Sequence, residues 1–298
     1  MRYLITGVTG QLGYEVVKEL KSRGINDIYA PVRSEMDLSN LKSIDDAFDL
    51  YKPDVVFHCA AYTAVDKAEN DKETCETINF KSTEEIAKKC SIYGAKLVYI
   101  STDYVFDGTK PLNEEYEIDD IPNPKNVYGL TKLKGELAAA KNPKTFIART
   151  SWVFGINGNN FVKTMINLGD KYPELRVVAD QFGSPTYAVD LAKLLVDMSE
   201  TDKYGIYHAN NEGYCSWAEF ASEIMKQNDK PAKVTSVTTD EYYAGKDMSL
   251  IAYRPKNSKL SKISLDEAGF KRLPEWQDAL DRYSKELKKQ NNKSLKLV

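Results

Sequence analysis

Cysteine and histidine are scarce in this chain of 298 residues, which contains four cysteines and two histidines. No pair of cysteines has the CxxC spacing, and the histidines and cysteines do not cluster in a metal-binding pattern. A zinc site is therefore not expected, and the cysteines are predicted to be isolated, reduced thiols.

Long apolar runs and an excess of charge of one sign are also absent. No apolar segment approaches the length that spans a bilayer, and the first residues lead directly into a predicted strand without a signal-peptide pattern. The formal net charge is −3, so the chain has no global attraction to nucleic acid or to an anionic membrane. We therefore expect a cytoplasmic protein that binds neither nucleic acid nor membranes.

Short apolar runs alternate with amphipathic, helix-like segments in the first half of the chain. The runs are continuously apolar, as in strands that are buried on both faces of a sheet. They lie at residues 3–5, 55–57, 97–100 and 146–148. This alternation predicts an α/β fold, with a doubly wound parallel sheet of the Rossmann type and a smaller C-terminal lobe for the substrate.

The same pattern suggests where the chain divides. Residues 1–150 are predicted to form the dinucleotide-binding domain, to which a helix near 188–199 returns. Residues 151–285, in which turn-forming residues are frequent, are expected mainly to form the substrate lobe. Residues 286–298 are polar and rich in lysine, and we expect a solvated tail there.

A glycine-rich segment follows the first predicted strand. Residues 6–13 read Thr-Gly-Val-Thr-Gly-Gln-Leu-Gly, so that Gly7, Gly10 and Gly13 have the spacing GxxGxxG before a predicted helix. Glycine lets the backbone approach a pyrophosphate, and the N-terminus of the helix offers free N–H groups to it. The segment therefore predicts dinucleotide binding.

The end of the second predicted strand indicates which dinucleotide is bound. A carboxylate there binds the ribose 2′-hydroxyl of NAD, whereas an arginine suits the 2′-phosphate of NADP. Residues 28–34 include Arg33 and Ser34 and no carboxylate. NADPH is the expected cofactor, with NADH as the alternative, and Arg33 is otherwise an ordinary surface side chain.

Residues 128–132, Tyr-Gly-Leu-Thr-Lys, form a YxxxK pattern that places Tyr128 and Lys132 on one face of a helix. A tyrosine hydroxyl can give a proton to a ketone that accepts a hydride, and the Lys132 ammonium is expected to lower the pKa of that tyrosine. Thr102 ends the fourth predicted strand, where its hydroxyl either binds the developing alkoxide or only caps the strand.

Taken together, these segments resemble the dTDP-4-dehydrorhamnose reductases, a family of extended short-chain dehydrogenases. The resemblance follows the chain in order over most of its length. The matching segments are residues 7–13, 36–38, 60–69, 101–108, 128–136, 149–155 and 180–186.

The resemblance implies a role for each matching side chain. Tyr128 is the implied proton donor, Lys132 its partner on the nicotinamide ribose, and Thr102 the third catalytic residue. The expected cofactor-binding residues are Gly7, Gly10, Gln11, Leu12, Gly13, Arg33, Asp37, Leu38, Ala60, Ala61 and Tyr62. The expected contacts to the sugar nucleotide are Tyr104, Trp152, Gln181 and Arg254. Alternative interpretations are core packing for Trp152 and a surface ion pair for Arg254.

A metal site of the family is only partly present in this sequence. Some members hold magnesium at a dimer interface through glutamates, and Glu15 and Glu286 match two of those positions. Val189 stands at the third position, and the adjacent Asp190 is rotated by about 100° on a helix. We therefore expect no metal, and both a monomer and a homodimer remain open.

The implied reaction is the reduction of the C4 ketone of dTDP-4-dehydro-L-rhamnose to dTDP-L-rhamnose. Related dehydratases have an Asp-Glu pair after the strand-four threonine, whereas Tyr104 follows Asp103 here, so elimination is not expected. A reductase of another nucleotide-linked 4-keto sugar is an alternative. Another is a non-catalytic regulatory subunit like the β subunit of methionine adenosyltransferase, although Thr102, Tyr128 and Lys132 are all intact.

Overall fold

A parallel sheet of six strands forms the centre of the protein. The computed structural model describes residues 1–248 and 251–295. In chain order the strands are β1 (Tyr3–Thr6), β2 (Ile28–Tyr29), β3 (Val55–His58), β4 (Lys96–Thr102), β5 (Thr145–Thr150), β6 (Val153–Phe154), β7 (Glu174–Val178), β8 (Phe182–Gly183), β9 (Thr186–Tyr187), β10 (Gly205–His208), β11 (Cys215–Ser216) and β12 (Lys233–Val237). The order across the central sheet is β10, β5, β4, β3, β1, β2, and all neighbouring strands are parallel.

Helices connect the strands and cover the sheet. They are α1 (Gln11–Ser22), α2 (Leu41–Tyr51), α3 (Val65–Ala68), α4 (Lys72–Glu76), α5 (Ser82–Tyr93), α6 (Val127–Ala139), α7 (Phe161–Gly169), α8 (Ala188–Ser199), α9 (Trp217–Gln227), α10 (Thr239–Tyr243), α11 (Ile263–Glu267) and α12 (Trp276–Leu295). A π-helical turn at Thr77–Lys81 joins α4 to α5, and a 3₁₀ turn at Asp103–Val105 follows β4. None of the helices in the described part of the chain is long and apolar enough to cross a membrane.

Successive side chains along a strand point to opposite faces of the sheet, and helices cover both faces. Tyr3 and Ile5 belong to the apolar cluster that includes α1 and α8, whereas Leu4 between them belongs to the cluster that includes α2 and α5. Helix α8 forms where the sequence predicts a returning helix, and it packs against α1. The predicted α/β class, with its parallel, doubly wound sheet, is confirmed.

A separate apolar cluster lies in the second half of the chain. Strand β7 pairs in parallel with β12, and helices α7, α9 and α12 pack around side chains that include Phe154, Phe220 and Tyr283. The second half also contributes to the central sheet, because β10 pairs with β5.

The segment expected to be a solvated tail is helical as far as Leu295, the last residue of α12. Tyr283 is fully buried in the second cluster, and Glu286 accepts a hydrogen bond of 2.6 Å from the Tyr187 hydroxyl. These contacts hold the helix against the lobe as far as Glu286, and the polar tail beyond it stays a prediction. Residues 296–298 lie outside the described residues.

A buried ion pair joins β5 to α6. The Nε and Nη2 groups of Arg149 donate to the two carboxylate oxygens of Glu136 at 2.9 and 2.8 Å, and only 3% and 4% of the two side chains are exposed. The Nη1 group of Arg149 donates to the carbonyl of Ile118 at 3.2 Å. Since α6 carries Tyr128 and Lys132, this pair fixes the helix that bears the predicted catalytic residues.

Replacing Glu136 should destabilise the fold strongly. Glu136→Gln leaves a buried guanidinium without its counter-charge, so the free energy of unfolding should fall by about 3–5 kcal/mol, measured by urea unfolding. The control is Glu84→Gln, which breaks an exposed pair with Lys141 and should leave stability nearly unchanged. Equal stability of the two variants would contradict the role given to the buried pair.

Candidate active site

A cleft of about 690 Å³ opens at the carboxyl ends of β1, β3, β4 and β5. This is the edge at which open parallel sheets bind their ligands. Most of the predicted site residues line it: Gly7, Gly10, Gln11, Leu12, Arg33, Asp37, Leu38, Ala60, Ala61, Thr102, Tyr104, Tyr128, Lys132 and Trp152.

The glycine turn lies at the floor of the cleft and requires its glycines. Gly7 has a φ of 72°, and a Cβ there would lie 2.7 Å from the backbone nitrogen of Ala60. Gly13 does not line the cleft, but a Cβ on it would lie 2.4 Å from the Gly7 carbonyl oxygen, so it lets α1 pack behind the turn. Gly10 directly precedes α1 as its N-cap residue, and no side chain caps the helix. Its first N–H groups are thus available to a phosphate.

The wall of the cleft contains buried polar atoms that lack a hydrogen-bond partner among the described residues. They are Ser101 Oγ, Asp103 Oδ2 and Thr150 Oγ1, at the ends of β4 and β5. Buried polar atoms are normally hydrogen-bonded, so these atoms are free to bind the polar groups of a ligand. A glycine cradle beside unpaired hydroxyl groups fits a dinucleotide cofactor.

Arg33 lies at the mouth of the cleft, where the 2′-phosphate of NADP is expected. Its side chain is 76% exposed, and its contact with Asp37 is long, 3.5 Å from Nε to Oδ2. Asp37 is held instead by the N–H and hydroxyl of Ser39, and these hydrogen bonds lower the pKa of Asp37. Arg33 can therefore turn to a phosphate without breaking a buried contact.

Tyr128 lies in the cleft wall between Thr102 and Tyr104. Its ring meets that of Tyr104 edge to face, with 5.8 Å between the ring centroids. Withdrawal from water raises the pKa of Tyr128, and a hydrogen bond with Thr102 opposes this only in part. The expected lowering of this pKa by the Lys132 ammonium is therefore wrong for the protein without ligand. A raised pKa keeps the hydroxyl protonated at neutral pH, as a proton donor requires.

Burial also shifts the pKa of Lys132, the residue that was expected to lower the pKa of Tyr128. The lysine side chain is buried, with Nζ 4.1 Å from the centroid of the Tyr99 ring. Burial lowers the pKa of Lys132 to about 7, and the nearby Glu136 carboxylate opposes this shift. Burial thus disfavours the charged form of Lys132, which weakens its stabilisation of a phenolate at Tyr128.

Helix α6 comes unusually close to the turn after β4, and sequence reasoning missed the residues responsible. A Cβ on Gly129 would lie 2.2 Å from the carbonyl oxygen of Tyr104. Asn126 caps the helix by accepting the N–H of Gly129 at 2.7 Å, and its amide donates to the Tyr253 carbonyl at 2.9 Å. An asparagine directly before a helical segment is a capping signal, and it could have been recognised from the sequence.

Tyr62 and Gln181 do not line the cleft. The backbone N–H of Tyr62 donates to the side chain of Asn79 at 2.8 Å. Gln181 is buried, and its amide donates to Thr239 Oγ1 at 3.0 Å. The predicted ligand contacts of these two residues remain predictions.

Arg254 also lies outside the lining of the cleft, behind Tyr104. Its guanidinium forms an ion pair of 2.9 Å with Asp66 and lies 6.0 Å from the centroid of the Tyr104 ring. This ion pair is the type of contact that the alternative interpretation of Arg254 anticipated. Arg254 thus supports a cleft-lining side chain from behind.

Two stacked indoles form the wall on the side of the second lobe. Trp152 and Trp217 are nearly parallel, with 3.6 Å between their ring centroids, and both line the cleft. Trp152 is half-buried against the second apolar cluster and has a φ of 49°, a region that large side chains rarely adopt. Trp217 begins α9, and no motif near it in the sequence indicated a site residue.

The carboxylates that match the family's magnesium site are occupied by side-chain cations. Lys18 Nζ lies 2.9 Å from Glu15 Oε2 and 3.4 Å from Glu286 Oε1. Asp190 is paired with both terminal nitrogens of Arg282 at 2.8 and 2.6 Å. No group of three or more metal-binding side chains occurs in the described part of the chain. These residues do not fit a magnesium ion.

The site combines a glycine turn suited to a pyrophosphate with a buried lysine and a protonated tyrosine. This combination defines an NAD(P)-dependent oxidoreductase with a Rossmann fold. The family model described as the RmlD substrate binding domain matches residues 1–289, and the chain belongs to this family.

Similar sequences and a crystal structure support this assignment. The chain is 40% identical to the spore coat polysaccharide biosynthesis protein SpsK of Bacillus subtilis (96% of this chain, 97% of the relative). It is 38% identical to the dTDP-4-dehydrorhamnose reductase of Aggregatibacter actinomycetemcomitans (94% and 97%). The crystal structure of dTDP-4-dehydrorhamnose reductase from Bacillus anthracis in complex with NADP superposes with a TM-score of 0.90 at 41% identity (96% and 99%). The resemblance inferred from the sequence is confirmed.

Chelation should leave this protein unaffected, because Lys18 already neutralises Glu15 and Glu286. We expect EDTA to change neither the melting temperature nor the turnover. Lys18→Met should lower the free energy of unfolding by about 1–2 kcal/mol, since the buried Glu15 then loses its cation. Inhibition by EDTA that magnesium reverses would contradict this interpretation.

Proposed function

We propose that the chain reduces the C4 ketone of dTDP-4-dehydro-L-rhamnose to dTDP-L-rhamnose with NADPH. The observation that carries the proposal is the placement of Tyr128, which lines the same cleft as Thr102, Lys132 and the glycine turn. Relatives that cover nearly the whole chain and are named for this reaction support it.

The cofactor would occupy the half of the cleft next to α1. The turn at Gly7 and Gly10 would hold the pyrophosphate, and Arg33 the 2′-phosphate. Asp37 and Leu38 would lie beside the adenine. When bound, NADPH supplies the hydride that reduces the carbonyl carbon.

The side chains at the end of β4 and on α6 then complete the reduction. Tyr128 donates its proton to the carbonyl oxygen as negative charge develops there, and the hydroxyl of Thr102 orients that oxygen. The loss of the proton leaves a phenolate at Tyr128. Lys132 lies on the same helix, and its ammonium form stabilises this phenolate by charge attraction.

The indole pair would bind the sugar. A deoxysugar presents an apolar face of ring hydrogens and a methyl group, which stacks well on an aromatic ring. The left-handed backbone of Trp152 costs on the order of 1–3 kcal/mol. Such strain persists where the surrounding structure enforces it, most often at ligand sites, and here it places the indole in the cleft.

Tyr128→Phe should retain the cofactor and lose turnover. The ring remains, but the proton donor is removed, and general acid catalysis contributes about 10²–10⁴-fold. The measurement is NADPH oxidation with the keto sugar, with NADPH binding followed separately by fluorescence. A wild-type protein that binds NADPH but never oxidises it would indicate a regulatory subunit, and a fully active Tyr128→Phe protein would refute the assigned donor.

Trp152→Ala should weaken the sugar nucleotide by about 1–3 kcal/mol, the loss of one good apolar contact, while NADPH affinity changes little. Each ligand is titrated separately against the same variant. The matched control is Trp276→Phe, because Trp276 is buried in the second cluster and does not line the cleft; it should lower stability only. If Trp152→Ala behaves like this control, core packing is the role of Trp152.

A further inference from the structure

Asp103 is a buried acid in the cleft that the proposed mechanism leaves unused. It directly follows Thr102, is 4% exposed and lines the cleft. Its Oδ1 accepts the Thr102 hydroxyl at 3.0 Å. Its Oδ2 has no partner of normal hydrogen-bond geometry among the described residues, although the Ser258 hydroxyl is near enough to affect its ionisation.

The single hydrogen of the Thr102 hydroxyl is already engaged within the protein. It has a single hydrogen and two lone pairs. The hydrogen points to Asp103 Oδ1, and one lone pair accepts the N–H of Tyr104 at 3.2 Å, which leaves one lone pair. While Asp103 is a carboxylate, Thr102 therefore has no hydrogen left to donate to a substrate oxygen.

Protonation of Asp103 reverses this arrangement. A carboxylic acid donates its own hydrogen to Thr102 Oγ1, and the hydrogen of Thr102 is released toward the cleft. We propose that Asp103 is a positioning residue whose protonation state decides whether Thr102 donates a hydrogen bond to the carbonyl oxygen of the substrate. The inference rests on the proposed reduction at Tyr128 and Thr102.

The surroundings of Asp103 suit such a role. Burial raises the pKa of Asp103 to about 6, while the hydroxyls of Ser258 and Thr102 lower it in part. The titratable and charged groups that face it are Tyr128 on α6 and Tyr104 on its own turn, with Arg254 behind Tyr104. The protonated and charged forms are therefore both accessible near neutral pH.

The pH dependence of kcat/KM tests the proposal. The donor form requires protonated Asp103, so activity should be highest below pH about 6 and fall as the pH rises through that value. Loss of one hydrogen-bond donor to a developing oxyanion is worth on the order of a hundredfold. Asp103→Asn should remove this inflection, because its amide donates to Thr102 at every pH. Lys132 titrates nearby but is retained in this variant, so the difference from the wild type isolates Asp103.

Two further variants complete the experiment. Asp103→Ala removes the acceptor that holds the Thr102 hydrogen, so this variant should also lose the inflection while NADPH affinity is kept. Ser258→Ala removes a nearby hydroxyl that lowers the pKa of Asp103, so the inflection should move to higher pH. A pH profile that is the same in the wild type and in Asp103→Asn, or an inflection that does not move in Ser258→Ala, overturns the proposal.

A measurement without substrate separates this proposal from the proposed function. In protein with ¹³C-labelled aspartate carboxyl groups and no ligand, one resonance, identified by its loss in Asp103→Asn, should titrate near pH 6. A wild type that is inactive on the keto sugar would refute the reduction and leave this titration in place. An Asp103 resonance that stays ionised across this range would overturn the positioning role while leaving the reduction intact.

Discussion

The close approach of α6 to the sheet is the constraint on which the candidate site depends. The helix can reach the turn after β4 only because residue 129 is glycine. A Cβ at this position would lie 2.2 Å from the Tyr104 carbonyl oxygen. On its far side the helix is held by the buried pair of Glu136 with Arg149. These two contacts hold Tyr128 in the cleft that Thr102 also lines, and all proposed chemistry follows from that placement.

Burial then decides the charges in the site. The surroundings that raise the pKa of Tyr128 lower that of Lys132 to about 7 and raise that of Asp103 to about 6. The neutral form of each group is favoured because charge is poorly solvated there. Before any ligand binds, the site thus keeps its proton donor protonated, and its groups respond strongly when negative charge appears in the cleft.

The second half of the chain completes the cleft and supports it. Trp217 stacks on Trp152, and Arg254 supports Tyr104 through its pair with Asp66. Asn157 donates to the Gly10 carbonyl at 3.2 Å, which ties the glycine turn to the loop after β6. Residues distant in sequence therefore contribute to each side of one cleft.

The sequence alone determined the elements whose chemistry is local. Continuous apolar runs predicted β1, β3, β4 and β5, the glycine spacing predicted the turn before α1, and the YxxxK pattern placed Tyr128 and Lys132 on one helix. Only the tertiary structure decided what depends on neighbours far along the chain. In the folded protein Trp217 lines the cleft, and Lys18 pairs with Glu15 and Glu286. Burial there raises the pKa of Tyr128. Periodicity and spacing specify which face of an element is apolar, whereas desolvation and pairing depend on which elements cover that face, and the packed fold alone determines this.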